Sequence, residues 1–258
     1  MTDTGTIPRT ALVTGAARRI GRAIALDLAA AGWAVAVHYN ESGEDAANTV
    51  SEIEAAGGRA AALQADLASE DQAGSLVGAA AAALGPVGCL VNNASVFERD
   101  DPTTANRESW DAHMETNLRA PFVLSQAMAA ALPDDAKGVI VNLLDQRVWN
   151  LTPHFTSYTL AKAGLWTLTR TLALSLAPRI RVAAIGPGPT LKSARQTEEQ
   201  FERQQESVPL GHGPSLEEIC AAVRFIIAAP SFTGQMIALD GGEHLGWRRP
   251  AGAEPVVE

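Results

Sequence analysis

Short apolar runs alternate with longer amphipathic stretches along almost the whole chain, and few folds accept that rhythm. Thr10–Thr14 reads as a buried strand, followed by a helix from about Arg19 to Ala31 that Gly32 ends. Trp33–His38 is a second strand, a helix near Glu44–Ala56 stops at Gly57-Gly58, and Arg59–Ala65 is a third strand. A helix over 70–84 leads to strand Val87–Asn92, and a long helical stretch, Ser109–Leu132, precedes strand Gly138–Leu144. Helix Ser157–Ala177 ends before Pro178, strand Arg181–Ile185 follows, and the last strand is Gln235–Leu239. Strands this short and apolar, separated by helices, predict a parallel sheet of about seven strands covered on both faces. Right-handed crossovers between them give a doubly wound α/β fold.

No repeat, low-complexity tract or linker divides the chain. Its 258 residues, 47% hydrophobic and 19% charged, suit one domain with a single large core, taken here as 1–246. The Pro/Gly/Ala/Glu-rich tail 247–258 is set apart as disordered or lying on a partner subunit. The polar stretch Lys192–His212 interrupts the alternation. It reads either as a flap over a ligand, about 190–213, or as a solvated helix.

A net charge of −9 argues against a non-specific grip on nucleic acid, which needs a dense Lys/Arg surface. Cys89 and Cys220 are isolated and read as buried free thiols in a reducing compartment. The segment Gly74–Val91 is apolar but Ala-rich and cut by Gly85-Pro86, so it is no membrane span. The start lacks a basic, then apolar, leader, so a cytoplasmic protein with no membrane partner is expected.

Four segments fall at the carboxyl ends of predicted strands, where open α/β sheets bind ligands. Thr14-Gly-Ala-Ala-Arg-Arg-Ile-Gly21 opens a helix. There Gly15 and Gly21 would let backbone N–H groups approach a pyrophosphate at a positive helix end. Asp66-Leu67 ends strand three, Asn92-Asn-Ala-Ser95 ends strand four, and Gly186-Pro-Gly188 ends strand six. Tyr158 and Lys162, four apart on a helix, share one face. An ammonium there would favour the phenolate and lower the tyrosine's pKa from about 10.

Together these segments resemble the short-chain dehydrogenase/reductases, over nearly the whole chain from Ala11 to about Leu245. The resemblance implies a Rossmann fold and a nicotinamide dinucleotide. It also implies Tyr158 and Lys162 as catalytic residues, Asp66 at the adenine, and Pro187 and Gly188 at the nicotinamide. Asn117, in Met114-Glu-Thr-Asn-Leu118, matches the family's asparagine of a water-linked proton relay. Alternatively it is a buried asparagine satisfied by backbone. An NAD enzyme commonly ends strand two with an acid. Here Tyr39 stands there, in Val37-His-Tyr-Asn-Glu-Ser42, with Arg18 and Arg19 close by, so NADP(H) is favoured. Glu41 is the complication, since it would repel a 2′-phosphate unless it faces solvent. The expected cofactor contacts are Gly15, Arg18, Arg19, Ile20, Gly21, His38, Tyr39, Asn40 and Ser42. Asp66, Leu67, Asn93, Ala94, Ser95, Tyr158, Lys162, Pro187 and Gly188 complete them.

Asp145 follows strand five at the position where the family usually has serine. A serine donates to a ketone oxygen; a carboxylate only accepts and opposes oxyanion development. It suits a substrate with N–H donors or one protonated on nitrogen. The same substitution occurs in the pteridine reductases and dihydromonapterin reductases. Arg19 in place of a glycine, Ser95 and Phe97 also resemble that subgroup, in which the aromatic ring stacks the pterin against the nicotinamide. The resemblance implies NADPH-dependent reduction of a dihydropterin by Asp145, Tyr158, Lys162 and Asn117, with Arg19, Ser95, Phe97, Asp145 and Tyr158 touching substrate. It also implies a homotetramer paired through the helices near 109–132 and 157–177, and no metal. A carbonyl or ketoacyl reductase that tolerates the aspartate, and a non-catalytic dinucleotide-binding protein, are the alternatives. As lone residues, Phe97 is also compatible with loop packing, Arg19 with a helix surface and Asp145 with a turn cap.

Overall fold

The computed structural model describes residues 5–193 and 195–246; the tail 247–258 lies outside the described residues. Seven strands, all parallel, form one sheet in the order β3-β2-β1-β4-β5-β6-β7. They are β1 (Thr10–Val13), β2 (Ala34–Tyr39), β3 (Arg59–Gln64), β4 (Val87–Asn92), β5 (Gly138–Leu143), β6 (Ile180–Pro187) and β7 (Met236–Leu239). The helices are α1 (Arg19–Ala30), α2 (Gly43–Ala55), α3 (Glu70–Leu84), α4 (Arg107–Met114) and α5 (Ala120–Ala131). After them come α6 (Thr156–Ser175), α7 (Glu198–Glu206) and α8 (Leu216–Ala228). The expected doubly wound α/β fold is what the chain adopts.

Successive residues of the central strands bury to opposite sides. Ala11, Val13, Cys89, Val91, Val139 and Val141 pack with Ile24, Leu28, Ile219 and Val223 of α1 and α8. Leu12, Leu90 and Ile140 point the other way, onto Leu76 of α3, Leu124 and Met128 of α5 and Leu172 of α6. Two-sided burial is why these strands are continuous apolar runs rather than alternating ones. Each fully buried Leu or Ile contributes roughly 1.5–3 kcal/mol.

Two expectations need correcting. The helix expected over 109–132 is α4, a π turn at Glu115–Arg119, and α5. Pro121 lacks an N–H inside this continuous right-handed helix, and the ladder widens just before it. Strand β6 extends to Pro187, because β7 pairs with it as far as Pro187 opposite Leu239. Within 190–213 lies α7, started by a capping box between Thr197 and Gln200, with none of its residues buried. It is a solvated helix that also borders the cleft.

Candidate active site

The chain runs from β1 outward to β3 and then crosses back to β4, so a crevice opens beyond the carboxyl ends of β1 and β4. It holds two adjoining cavities of about 540 and 530 Å³ that share Arg19, Ile20, Asn93 and Ser95.

The first cavity is lined by Gly15, Arg18, Gly21, His38, Tyr39, Asn40 and Ser42, and by Asp66, Leu67 and Ala94. Its floor is tied together by the protein itself. Gly15 has φ +62°, and a Cβ there would lie 3.0 Å from the Ala94 Cα. A Cβ at Gly21 would lie 2.2 Å from the Gly15 carbonyl oxygen, so α1 is pressed onto the turn. Asn93 Nδ2 donates to the carbonyls of Thr14 (2.8 Å) and Gly15 (3.2 Å). The Asn93 and Ala94 N–H groups donate to Thr14 Oγ1 at 2.9 and 3.0 Å.

The Gly15 N–H is already engaged within the protein: it donates to His38 Nδ1 at 3.0 Å. His38 Nε2 therefore carries the ring proton and donates to the Ala65 carbonyl at 3.1 Å. Burial of this ring holds its pKa below the usual value, which the bond to Ala65 only partly offsets. The donors left for an anion are the first-turn N–H groups of α1. Asp66 caps its own turn through the Ala68 N–H at 2.9 Å. Tyr39 ends β2 with no acid at that position; Glu41 is exposed yet also lines this cavity, and Arg18 Nε is 3.6 Å from Asp45. A cavity with free helix-start donors and an arginine beside the β2 end fits a dinucleotide carrying an extra phosphate.

Arg19 adopts φ +55°, a left-handed conformation that costs a residue with a Cβ roughly 1–2 kcal/mol. Its guanidinium spans the mouth of the crevice, donating to the carbonyls of Lys192 (3.0 Å) and Leu191 (3.2 Å).

The second cavity brings together Phe97, Asp145, Tyr158, Lys162, Pro187 and Gly188 with Arg19 and Ser95. Asp145 leaves the end of β5 and starts a 3-10 turn, Gln146–Val148. Both carboxyl oxygens accept: Oδ1 from the Arg147 N–H at 2.8 Å and Oδ2 from the Tyr158 hydroxyl at 3.0 Å. Lys162 Nζ donates to the Leu143 carbonyl at 2.7 Å and lies 5.7 Å from the Tyr158 ring centre.

The electrostatics reverse one expectation. Burial, then the Asp145 carboxylate, push the Tyr158 pKa well above its usual value, outweighing the pull of Arg147 and of the Ser95 hydroxyl. Burial lowers Lys162 to about 8, against a smaller upward pull from Asp145. A phenol shifted this way stays protonated and has a proton to give, but it is a weaker acid than an exposed tyrosine.

Phe97 is stacked on Phe155 with ring centres 4.5 Å apart and planes 12° from parallel, and meets Tyr158 edge-on at 4.7 Å. A ligand ring stacking on Phe97 must use its other face or displace Phe155. Phe155 is itself strained, at φ +59° before α6. Asn117 lines neither cavity. It is buried in the π turn, accepting from the Val96 N–H and donating to the Val96 carbonyl, both at 2.8 Å. Its side chain is a backbone-satisfied clamp on the segment carrying Ser95 and Phe97.

Sequence reasoning missed Arg147, Phe155 and a buried cluster of Asp100, His113 and Ser157. Ser157 Oγ donates to Asp100 and lies 2.7 Å from His113 Nδ1, while His113 Nε2 accepts from the Glu98 N–H at 3.1 Å. The cluster ties the segment after β4 to the start of α6, one residue before Tyr158. Its one sequence signal was His113 four residues before Asn117, hence on the same helical face.

A family model described as short chain dehydrogenase matches residues 9–203. A 3-oxoacyl-[acyl-carrier-protein] reductase of Synechocystis sp. is 34% identical over 237 residues, covering 90% of this chain and 95% of that one. The 3beta-hydroxysteroid dehydrogenase 1 of Eggerthella lenta is 34% identical over 242 residues, 91% of this chain and 93% of the other. Among solved structures, the FolM alternative dihydrofolate reductase 1 from Brucella canis, complexed with NADP, is 48% identical. It superposes with a TM-score of 0.91, covering 96% of this chain and 98% of that one.

Proposed function

The chain belongs to the short-chain dehydrogenase family, and from that membership we propose that it reduces a pterin-like substrate with NADPH, taking a dihydropterin to the tetrahydro form. The observation that carries this is the Tyr158–Asp145 hydrogen bond. Where a ketone oxygen would seek a second donor beside the tyrosine, this site offers an acceptor, which repels a developing oxyanion and attracts N–H groups. The 48% identity to a FolM alternative dihydrofolate reductase supports the choice over the 3-oxoacyl reductases at 34%.

NADPH, when bound, supplies the hydride. Arg18, the α1 N-terminus and Ser42 hold its phosphates, and Lys162 with the turn at Pro187 and Gly188 holds its nicotinamide end. Reduction of a C=N bond then needs one proton on nitrogen. Tyr158, kept protonated by burial and by Asp145, donates it, and Asp145 orients the substrate through a ring N–H or amino group. Phe97, on the segment clamped by Asn117, stacks the ring once Arg195, whose guanidinium lies 5.3 Å from its centre, gives way, while Arg19 and Ser95 also touch the substrate. A homotetramer is part of the proposal, supported by Leu160 (47% exposed) and Leu174 (84% exposed) on α6 and Trp110 on α4.

The test is steady-state consumption of NADPH with dihydrobiopterin, dihydromonapterin and dihydrofolate. Turnover with at least one is expected. No turnover with any, beside brisk turnover of 3-oxoacyl thioesters or simple ketones, overturns the proposal.

A further inference from the structure

Arg147 has no part in the scheme above, and its surroundings are unusual for a cation. Its side chain is only 14% exposed. The guanidinium lies 5.1 Å from the ring centre of Phe155 and 5.8 Å from those of Phe97 and Tyr158. Nε and Nη1 are buried with no hydrogen-bond partner. Asp145 Oδ1, at 3.9 Å from Nε, is too distant to accept from it. The aromatic faces offset part of the desolvation but supply no directional acceptors. Arginine cannot shed its proton to escape; Nη2, neither buried like the other two nor bonded within the protein, is the donor left to the cavity that Arg147 lines, and there the geometry calls for an acceptor from outside the protein.

The other arginines of this cavity have acceptors already. Arg19 bonds two carbonyls of the segment after β6. Arg195 bonds Glu98 and the Phe97 carbonyl, and Arg99 is 3.5 Å from Asp101. Beside Arg147, Asp145 has accepted one hydrogen bond on each oxygen and retains a lone pair on each. An acceptor-only group and a donor-only group thus stand next to each other among three aromatic rings.

We infer that Arg147 determines specificity by donating to an oxo oxygen of the substrate ring, beside the ring N–H or amino group that Asp145 accepts. The pair reads an amino-lactam edge. It selects a 2-amino-4-oxo heterocycle over its 2,4-diamino analogue, whose amino group in place of the oxo would turn a donor toward a guanidinium. This rests on the pterin reading of the site.

The experiment titrates NADP-loaded enzyme calorimetrically with a 2-amino-4-oxo-dihydropterin and with a 2,4-diaminopteridine, in the wild type and in Arg147→Met. Loss of one charge-assisted hydrogen bond should weaken the oxo ligand about 10- to 100-fold. The diamino ligand should stay within a few-fold or tighten, with melting temperature and NADP affinity unchanged. Equal weakening of both ligands, or an unchanged oxo ligand, overturns the inference. If Arg147→Met does not melt cooperatively, Arg147→Lys, which keeps charge but loses the planar fork, is read by the same ratio. An unchanged ratio there also overturns it. A wild type that consumes no NADPH with any dihydropterin overturns the functional reading and this inference together. Turnover with an unmoved ratio overturns the role of Arg147 alone.

Discussion

Beside β1, β2 and β3, the protein's own groups satisfy one another: Asn93 holds the Thr14–Gly15 turn, His38 takes the Gly15 N–H, and Asp66 caps its own turn. Beside β5 and α6, groups are left open or strained. Arg147 has buried donors without acceptors, Phe155 sits in the left-handed region, and Tyr158 is kept protonated next to an acid. On the proposed reading the first half is the floor for the dinucleotide, and the second holds its polar groups for the substrate. Arg19 joins the two halves, lining both cavities from a strained backbone.

The largest effect that would break this contrast is at Asp145. Asp145→Ser removes the acceptor for both the Arg147 N–H and the Tyr158 hydroxyl. It should lower kcat/KM for a dihydropterin by about 100-fold or more, while leaving ketone reduction equal or better. Retained pterin activity would show that the acid is a turn cap and nothing more.

Next in size is a pH effect. With Lys162 at about 8, below the ordinary 10.5, the free enzyme loses its ammonium as pH rises past that value. Then kcat/KM for NADPH should fall about tenfold per pH unit above it. Lys162→Arg keeps its charge over the whole range and should abolish that descending limb. A limb that stays in place assigns it to another group.

The smallest expected change lies in the floor. Asn93→Ala frees the carbonyls of Thr14 and Gly15 and should cost about 1–3 kcal/mol of stability, read as a lower melting temperature. NADPH binding should weaken, but the ratio of dihydropterin to ketone activity should stay the same. A shifted ratio would mean that the two halves are not separable.

The strands were legible because burial on both faces leaves uninterrupted apolar runs, as at Val139–Leu143. The cofactor turn was legible because a positive φ at Gly15 and a close approach at Gly21 demand glycine there. Asp145, Tyr158 and Lys162 stood out because their separations of thirteen and four residues, on a strand end and a helix, resemble the family's active-site pattern. What the residues do to one another was not legible. The shift of Tyr158 depends on how far burial and Asp145 outweigh Arg147 and Ser95, and that depends on three-dimensional depth. Nor does sequence spacing reveal that His38 takes the Gly15 N–H, because residues 15 and 38 meet only across the sheet edge. Arg147 stood two residues from Asp145 in plain view, but only packing among Phe97, Phe155 and Tyr158 strips its donors of water. The π turn before Pro121 was hidden for a simpler reason: its side chains keep a helical pattern.

The central claim is that hydride goes to a C=N carbon, with the proton supplied beside Asp145. It is tested most directly by label transfer in one vessel, with deuterated NADPH, a dihydropterin and a 3-oxoacyl thioester at equal concentration. Deuterium on the ring carbon of a tetrahydropterin, with the thioester largely untouched, is the predicted result. Deuterium on the carbinol carbon of a 3-hydroxyacyl product, with the pterin unlabelled, would contradict it.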